Sequence, residues 1–389
     1  MQRVFSLFFL FISLSLCAQQ QLSDSAEISV LTIGPGTSLN DSFGHSGFRI
    51  QDEAKGFDLV FNYGVYDFEA PNFVLKFAQG KLNYLIGLNR FDDFYNAYTE
   101  QNRTIKQQTL NLSQVEKQKI FDFLIENYEP ENRRYLYDFF FDNCATKIKD
   151  VANITCNNTI QFNVPEDYEE ATFRTLIQEN LNPNSWGSLG IDLALGAVID
   201  QIATPEQHMF LPKNIYSFFE NATKGNDDKV PLVKESSTLY SAKTQNSYSN
   251  FITSPLFIFG LIGLLIIYIT YKDQKQQKRT KALDIVIFTI TGFAGVIILL
   301  LWFATDHEAT HNNYNLLWAN PLNLIVLFQL FKSNMSKWFN KYLKFLIILL
   351  CLMTFHWVTG VQIFAIGLIP LFIALFIRYA FLTYHLRKL

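Results

Sequence analysis

The chain has 389 residues, enough for roughly two or three domains. Its 32 Lys and Arg against 35 Asp and Glu leave a net charge of −3, with no basic excess to neutralise phosphates, so nucleic acid is not expected as a partner. Phe accounts for 38 residues, and much of the apolar content lies after Thr253, dividing the chain into a mixed front half and a lipid-like back half.

Residues 1–18 read as a cleaved signal peptide. Arg3 is a weak positive start, Val4 to Leu16 an apolar stretch, and Cys17-Ala18 a small-residue exit before Gln19. Thirteen apolar-rich residues are too few to span a bilayer. Cys17 is where a lipoprotein would be modified, but Leu16 stands where that signal needs a small side chain, so cleavage after Ala18 is expected. Export follows either way.

Residues 19–223 read as one exported α+β domain. Ile28 to Ile33 is a β-branched run ended by Gly34-Pro35-Gly36, and a second strand is expected from His45. After the turn-rich Asp52 to Gly56, a third runs from Phe57 to Tyr63, and two apolar runs about such a turn predict a hairpin. Ser113, with Glu116 three residues on, predicts a capped helix to Asn127. Residues 224–253 are mostly polar and read as a linker.

Residues 254–389 predict a transmembrane domain of five helices: Ser254–Tyr271, Ile285–Phe303, Trp318–Phe331, Phe345–Val358 and Val361–Ile377. Lys272, Lys275, Lys278, Arg279 and Lys281 fill the first loop, and Lys332, Lys337, Lys341 and Lys344 the third. Arg378, Arg387 and Lys388 mark the C-terminus. The loops Ala304–Leu317 and Thr359–Gly360 carry no Lys or Arg. The positive-inside rule therefore puts the N-terminal domain and these two loops in the periplasm of a bacterial inner membrane, and the C-terminus in the cytoplasm.

Chemistry concentrates in two stretches. Gly44-His45-Ser46-Gly47 opens a strand, and Asp142-Asn143-Cys144-Ala145-Thr146 opens a helix on whose core face Cys144, Ile148 and Val151 lie. A thiol there is near the positive end of the helix dipole, which favours the thiolate. A strand-end histidine could take and return its proton while a third polar group orients the imidazole. Hairpin register sets Asn62 roughly across from His45, with Asp58 further along, so Cys144, His45 and Asn62 are the candidate catalytic residues. The competing reading makes Cys144 a small hydrophobe, or half of a disulfide with Cys156, since the compartment is oxidising.

A histidine on a strand, then Asn-Cys opening a helix about a hundred residues later, resembles the permuted papain-like thiol enzymes related to NlpC/P60, whose lecithin–retinol acyltransferase branch shares the Asn-Cys pair. More closely, Thr32-Ile33-Gly34-Pro35-Gly36, Phe43-Gly44-His45, Phe61-Asn62-Tyr63-Gly64, Pro71-Asn72-Phe73 and Asp142-Asn143-Cys144-Ala145-Thr146, followed by membrane helices, resemble a Bacteroidota family associated with lipoprotein N-acyl transfer. The resemblance covers most of the chain. It implies a permuted papain-like (NlpC/P60-type) α+β domain on an all-α transmembrane bundle. The implied activity moves an acyl chain from a phospholipid, through a Cys144 thioester, to the amine of a diacylglyceryl-cysteine lipoprotein, with His45 as base and no cofactor. It does not place the third catalytic group.

Other patterns compete. Asp306-His307-Glu308-Ala309-Thr310-His311 contains the H-E-x-x-H zinc-protease pattern, which needs a helix and a third ligand. It falls instead in a short loop, so no metal site is read. The loop, with His307, His311 and Asn313, is expected to dock on the N-terminal domain or bind lipid headgroups, with Trp318 in the aromatic interface belt. Gly187 to Ile199, with its buried-looking Asp192, is read as core, or as a segment dipping into the bilayer. Asn320 and Asn323 should face helix partners. The rival functions are a membrane-anchored thiol amidase or endopeptidase acting on peptidoglycan, and a non-enzymatic envelope scaffold.

Overall fold

The computed structural model describes residues 21–226, 228–243, 250–332 and 335–388, with side chains to 386; the expected signal peptide and Cys17 lie outside them. The N-terminal domain is built on a seven-stranded antiparallel sheet. Its strands are β1 (Glu27–Ile33), β2 (His45–Asp52), β3 (Phe57–Tyr66), β4 (Asn83–Arg90), β5 (Ile105–Leu110), β6 (Arg134–Leu136) and, later in the chain, Val233–Tyr240. The short strands β7 (Ile160–Gln161), β8 (Thr223–Lys224) and β9 (Val230–Pro231) form a separate sheet, which makes Val233–Tyr240 β10. The large sheet runs in the order β10-β5-β1-β2-β3-β4-β6.

The expected hairpin is present, with Gly47 opposite Asn62 and Asp52 opposite Phe57. Its turn closes on Gly56, whose φ of 70° suits a residue without a Cβ. The helices are α1 (Phe73–Ala78), α2 (Phe91–Glu100), α3 (Gln114–Tyr128), α4 (Cys144–Thr155), α5 (Phe173–Gln178), α6 (Trp186–Ala194) and α7 (Pro212–Asn221). Ser113 and Glu116 form the expected capping box of α3. One sheet face packs Phe48, Ile50 and Phe61 against Ile120 and Leu124 of α3, Ile148 and Val151 of α4, and Phe219 of α7. The opposite face packs Leu31, Ile33 and Val60 against Phe94 of α2. Burying each such side chain stabilises by roughly 1.5–3 kcal/mol.

The expected linker is in large part not one. β10 pairs along β5, with Ser236 opposite Gln108, and forms the sheet's edge. Its polar sequence hid it because an edge strand is recruited by backbone pairing and keeps one side in water.

The C-terminal region is all helical: α8 (Pro255–Gln276), α9 (Lys281–Phe303), α10 (Leu322–Phe331), α11 (Lys337–Val358) and α12 (Ile369–Lys388). Four of these segments are long and apolar enough to cross a membrane. The expected third span is different. α10 has ten residues, about 15 Å at the helical rise, and cannot alone cross a ~30 Å core. The chain reaches it through a 3-10 turn, Tyr314–Leu317, and an irregular stretch packed on α9. A Cβ on Gly295 would meet the Ala319 carbonyl at 2.2 Å. Gly295 lies about 12 Å inside the Phe303 end of α9. At its far end Arg279 donates to the Leu330 and Lys332 carbonyls. The stretch before α10 thus covers part of this passage with its backbone held against protein, as lipid requires.

Asn323 donates to Thr291 Oγ1 at 2.8 Å and accepts from Tyr342 Oη at 2.6 Å, so it faces partners as expected. Arg378 is not a free terminal charge. It is buried inside the bundle, 2.7 Å from Asp284 and 2.8 Å from Asp273, because a cation there persists only when paired. Trp318 does not join an interface belt either. It is 6% exposed, its Nε1 donates to Asn315, and its ring packs against Phe372.

Candidate active site

Asn143 fixes the start of α4. Its Oδ1 accepts from the N–H groups of Ala145 (2.7 Å) and Thr146 (3.0 Å), and the Asn143 N–H donates to Thr146 Oγ1 at 2.8 Å. Its Nδ2 donates to the carbonyls of Phe139 and Phe210. Cys144 is therefore the first helical residue by construction, on the helix face turned to β2 and β3. Backbone N–H groups of Ser46, Ala145 and Cys144 itself surround the sulfur and favour its thiolate. Ser46 follows His45, and Tyr98 neighbours both the His45 ring and Cys144, which sets the thiol and the imidazole in one neighbourhood at the mouth of β2. Gly44 precedes them with a φ of 83°, and a Cβ there would strike the Ile33 carbonyl at 2.6 Å.

His45 Nε2 lies 3.3 Å from Asn62 Oδ1, and Asn62 Nδ2 donates to Asn89 Oδ1 at 3.0 Å. Asn62 is paired with Gly47, two residues along β2 from His45, and so shares its sheet face. Asp58, further along, is bound to Arg49 instead.

Electrostatics set a neutral pair. Burial pulls the His45 imidazole down to about 4, opposed by its bond to Asn62, with Arg103 lowering it further. Burial pushes the Cys144 thiol up to about 11, although the surrounding N–H groups and Arg103 favour the thiolate. The helix start favours the thiolate as expected, and burial opposes it.

Arg103 was not legible in the sequence. It is 3% exposed, donates to Gly34 O at 2.9 Å, pairs with Asp41 at 3.2 Å, and lies over the Tyr98 ring at 4.8 Å. Tyr98 sits 6.2 Å from the His45 ring, and burial pushes its phenol up to about 12. Gly64, in the Phe61-Asn62-Tyr63-Gly64 motif, has a φ of 88°, and a Cβ there would come 3.8 Å from Cys144 Cβ and 3.8 Å from Tyr137 Cε2. Nothing local marks Arg103 or Tyr98, which reach the site from the segment between β4 and β5.

Cys156 caps the far end of α4, about 18 Å from Cys144 along a helix of 12 residues, so the two cannot share a disulfide. The H-E-x-x-H run is a three-residue 3-10 turn, Glu308–Thr310, and does not set its histidines on one helical face. His307 Nε2 donates to the Phe77 carbonyl at 3.0 Å, and the His311 carbonyl packs on Gly196. Asn313 is buried and donates to the carbonyls of Leu193 and Ala194. The loop therefore docks on the N-terminal domain. Asp192, within Gly187 to Ile199, is ion-paired with Arg174 at 2.8 Å, and Leu189 packs in the helical core. That segment is the junction between the two domains.

Fold and site together define a multi-pass membrane protein whose N-terminal α/β domain, with antiparallel sheets, brings a cysteine and a histidine to one place. Residues 17–179 match the Lnb N-terminal periplasmic domain, and residues 245–389 match the Lnb transmembrane domain. Between them they cover most of the chain, which belongs to the Lnb family; its N-terminal domain is periplasmic. No curated protein and no solved structure matches it.

Proposed function

We propose that the protein is a cysteine-dependent acyltransferase that moves an acyl chain from a phospholipid to the amine of diacylglyceryl-cysteine lipoproteins. The observation that carries this reading is Cys144 at the first turn of α4, in the neighbourhood of a His45 held by Asn62, with Tyr98 next to both. Family membership and the resemblance of the motifs supply the substrate class.

In the first step the Cys144 sulfur attacks an ester carbonyl of the phospholipid. The S–C bond forms, the C–O bond breaks, and the thiol proton passes through His45 to the departing lysophospholipid oxygen. In the second step the lipoprotein amine attacks the thioester. A C–N bond forms, the C–S bond breaks, and the amine proton returns through His45 to the sulfur. A neutral imidazole is the right partner for a neutral thiol, because it can take the proton as attack proceeds. The membrane bundle keeps both lipid substrates near the thiol. Five crossings with basic loops at the far ends support an inner-membrane protein with a cytoplasmic C-terminus.

Mass spectrometry of lipoprotein N-termini tests the reading. Cells with the protein should carry the additional N-linked acyl chain, and cells lacking it should not. Equal N-acylation in both would overturn the assignment.

A further inference from the structure

Between β3 and β4 the chain leaves the sheet and presents an apolar surface that no described residue covers. Phe68, Val74, Leu75 and Phe77 are 75%, 77%, 57% and 49% exposed. The element is pinned to the end of a membrane helix. Asp306 N–H donates to the Gln79 carbonyl at 2.8 Å, and His307 Nε2 to the Phe77 carbonyl at 3.0 Å. Gly80, at a φ of 72°, packs on the same two residues. Asp306 is three residues past Phe303, the last of α9, hence within about 10 Å of chain. Phe303 is 70% exposed and stacks on Trp302 at 4.9 Å, the kind of aromatic pair that occupies a membrane interface. The four apolar side chains therefore hang from a segment held at the outer headgroup level. Lys81, 3.8 Å from Asp306, flanks them.

A second observation leads from this surface to the thiol. The rings of Phe68 and Phe73 lie 5.2 Å apart, and both contact Tyr66, at 5.5 and 6.2 Å. Tyr66 meets Tyr84 at 4.8 Å, and Tyr84 stacks on Tyr137 at 4.1 Å. Tyr137 and Cys144 then flank Gly64. Burial raises the phenols of Tyr84 and Tyr137, so this row carries no charge. It is an aromatic wall from the lipid surface to the sulfur.

We propose that the segment from Phe68 to Phe77 inserts into the outer leaflet, and that the ring row is the track along which one acyl chain of a bilayer phospholipid reaches Cys144. The track rests on the reading of Cys144 as acyl acceptor; the insertion does not. Amphipathic interfacial elements bind in proportion to the apolar area they bury, and four large side chains suffice to fix a segment already tethered at the membrane.

The test uses the full-length protein in vesicles of radiolabelled phosphatidylethanolamine, with a photoreactive benzophenone amino acid replacing Val74, Leu75, Tyr66 or, as control, Val115, which is 66% exposed on α3. Lipid should crosslink at positions 74, 75 and 66 and stay at background at 115. In parallel, V74E/L75E should lower transfer from vesicle phospholipid by about tenfold while hydrolysis of soluble p-nitrophenyl butyrate stays within about twofold. Background labelling at 74 and 75 overturns the insertion. Labelling there with none at 66, or equal loss on both donors, overturns the track. A wrong acyl-transfer reading would show separately, as absence of thioester on Cys144 with crosslinks unchanged.

Discussion

The Nε2 atom of His45 and the Oδ1 atom of Asn62 stand 3.3 Å apart, and the amide of Asn62 is itself oriented by its donation to Asn89. With Nδ2 committed to Asn89, Oδ1 must face the ring, and a carbonyl oxygen can only accept. That arrangement suits a proton on Nε2, which would leave the Nδ1 lone pair as the base of the proposed reaction. Asn62→Ala should lower kcat by about a hundredfold with little change in KM, while the protein still accumulates in the membrane. Unchanged kcat would remove Asn62 from the mechanism. Asn89→Ala should produce a smaller loss of the same kind.

In the proposed reaction the acid limb of activity should read the imidazole. His45 is held down to about 4 rather than 6.5, so the base is fully competent at pH 6 and is lost only as pH falls toward 4. A kcat profile that already halves near 6.5 would show that burial does not set this group. Stability has the same sign. The unfolded state takes up the proton first, so the contribution of neutral His45 is complete above 6.5 and declines as pH falls from 6.5 toward 4. His45→Gln should flatten that part of the thermal-stability profile.

Cys144→Ala and Cys144→Ser should each reduce N-acylation by about a thousandfold or more without loss of protein. His45→Ala should be comparably severe, and the double change little worse than either, since the pair acts as one unit. Cys156→Ala should stay active. With labelled phospholipid and no acceptor, the wild type should retain acyl label that neutral hydroxylamine removes, and Cys144→Ala none. Label persisting in Cys144→Ala would identify a different nucleophile.

At the domain junction, Arg174 binds both Asp192 and Asp200, and Asp200 accepts from the Ile363 N–H in the loop before α12. Arg174→Leu would leave two carboxylates buried without their cation, at a cost of about 3–5 kcal/mol. Thermal unfolding in detergent should fall sharply, and a variant as stable as the wild type would show that the network contributes nothing.

Topology is read by cysteine labelling. Glu308→Cys, exposed on the docked loop, should react with an impermeant maleimide from the periplasmic side. Lys278→Cys, between α8 and α9, should react only after the inner membrane is opened. The reverse pattern would invert the orientation.

Much of the site was legible because its signals are short-range. The β1 to β3 alternation, the Ser113 capping box and the Asn143-Cys144 helix start each depend on residues within a few positions of one another, so the sequence by itself determined where the strands begin and where the thiol stands on its helix. Long uncharged runs likewise determined the membrane helices, since bilayer thickness demands their length. Tertiary structure decided the rest. β10 is an edge strand held by backbone pairing to β5, which leaves no apolar period. α10 is too short to span alone, and the irregular stretch before it, packed on Gly295 of α9, covers part of the passage. Arg103 and Tyr98 reach the site through chain reversal, and no local pattern encodes that. The burial that opposes charge on Cys144 and His45 was decided there too: a helix dipole can be inferred from position along the chain, whereas desolvation exists only once the surrounding residues have closed over both groups.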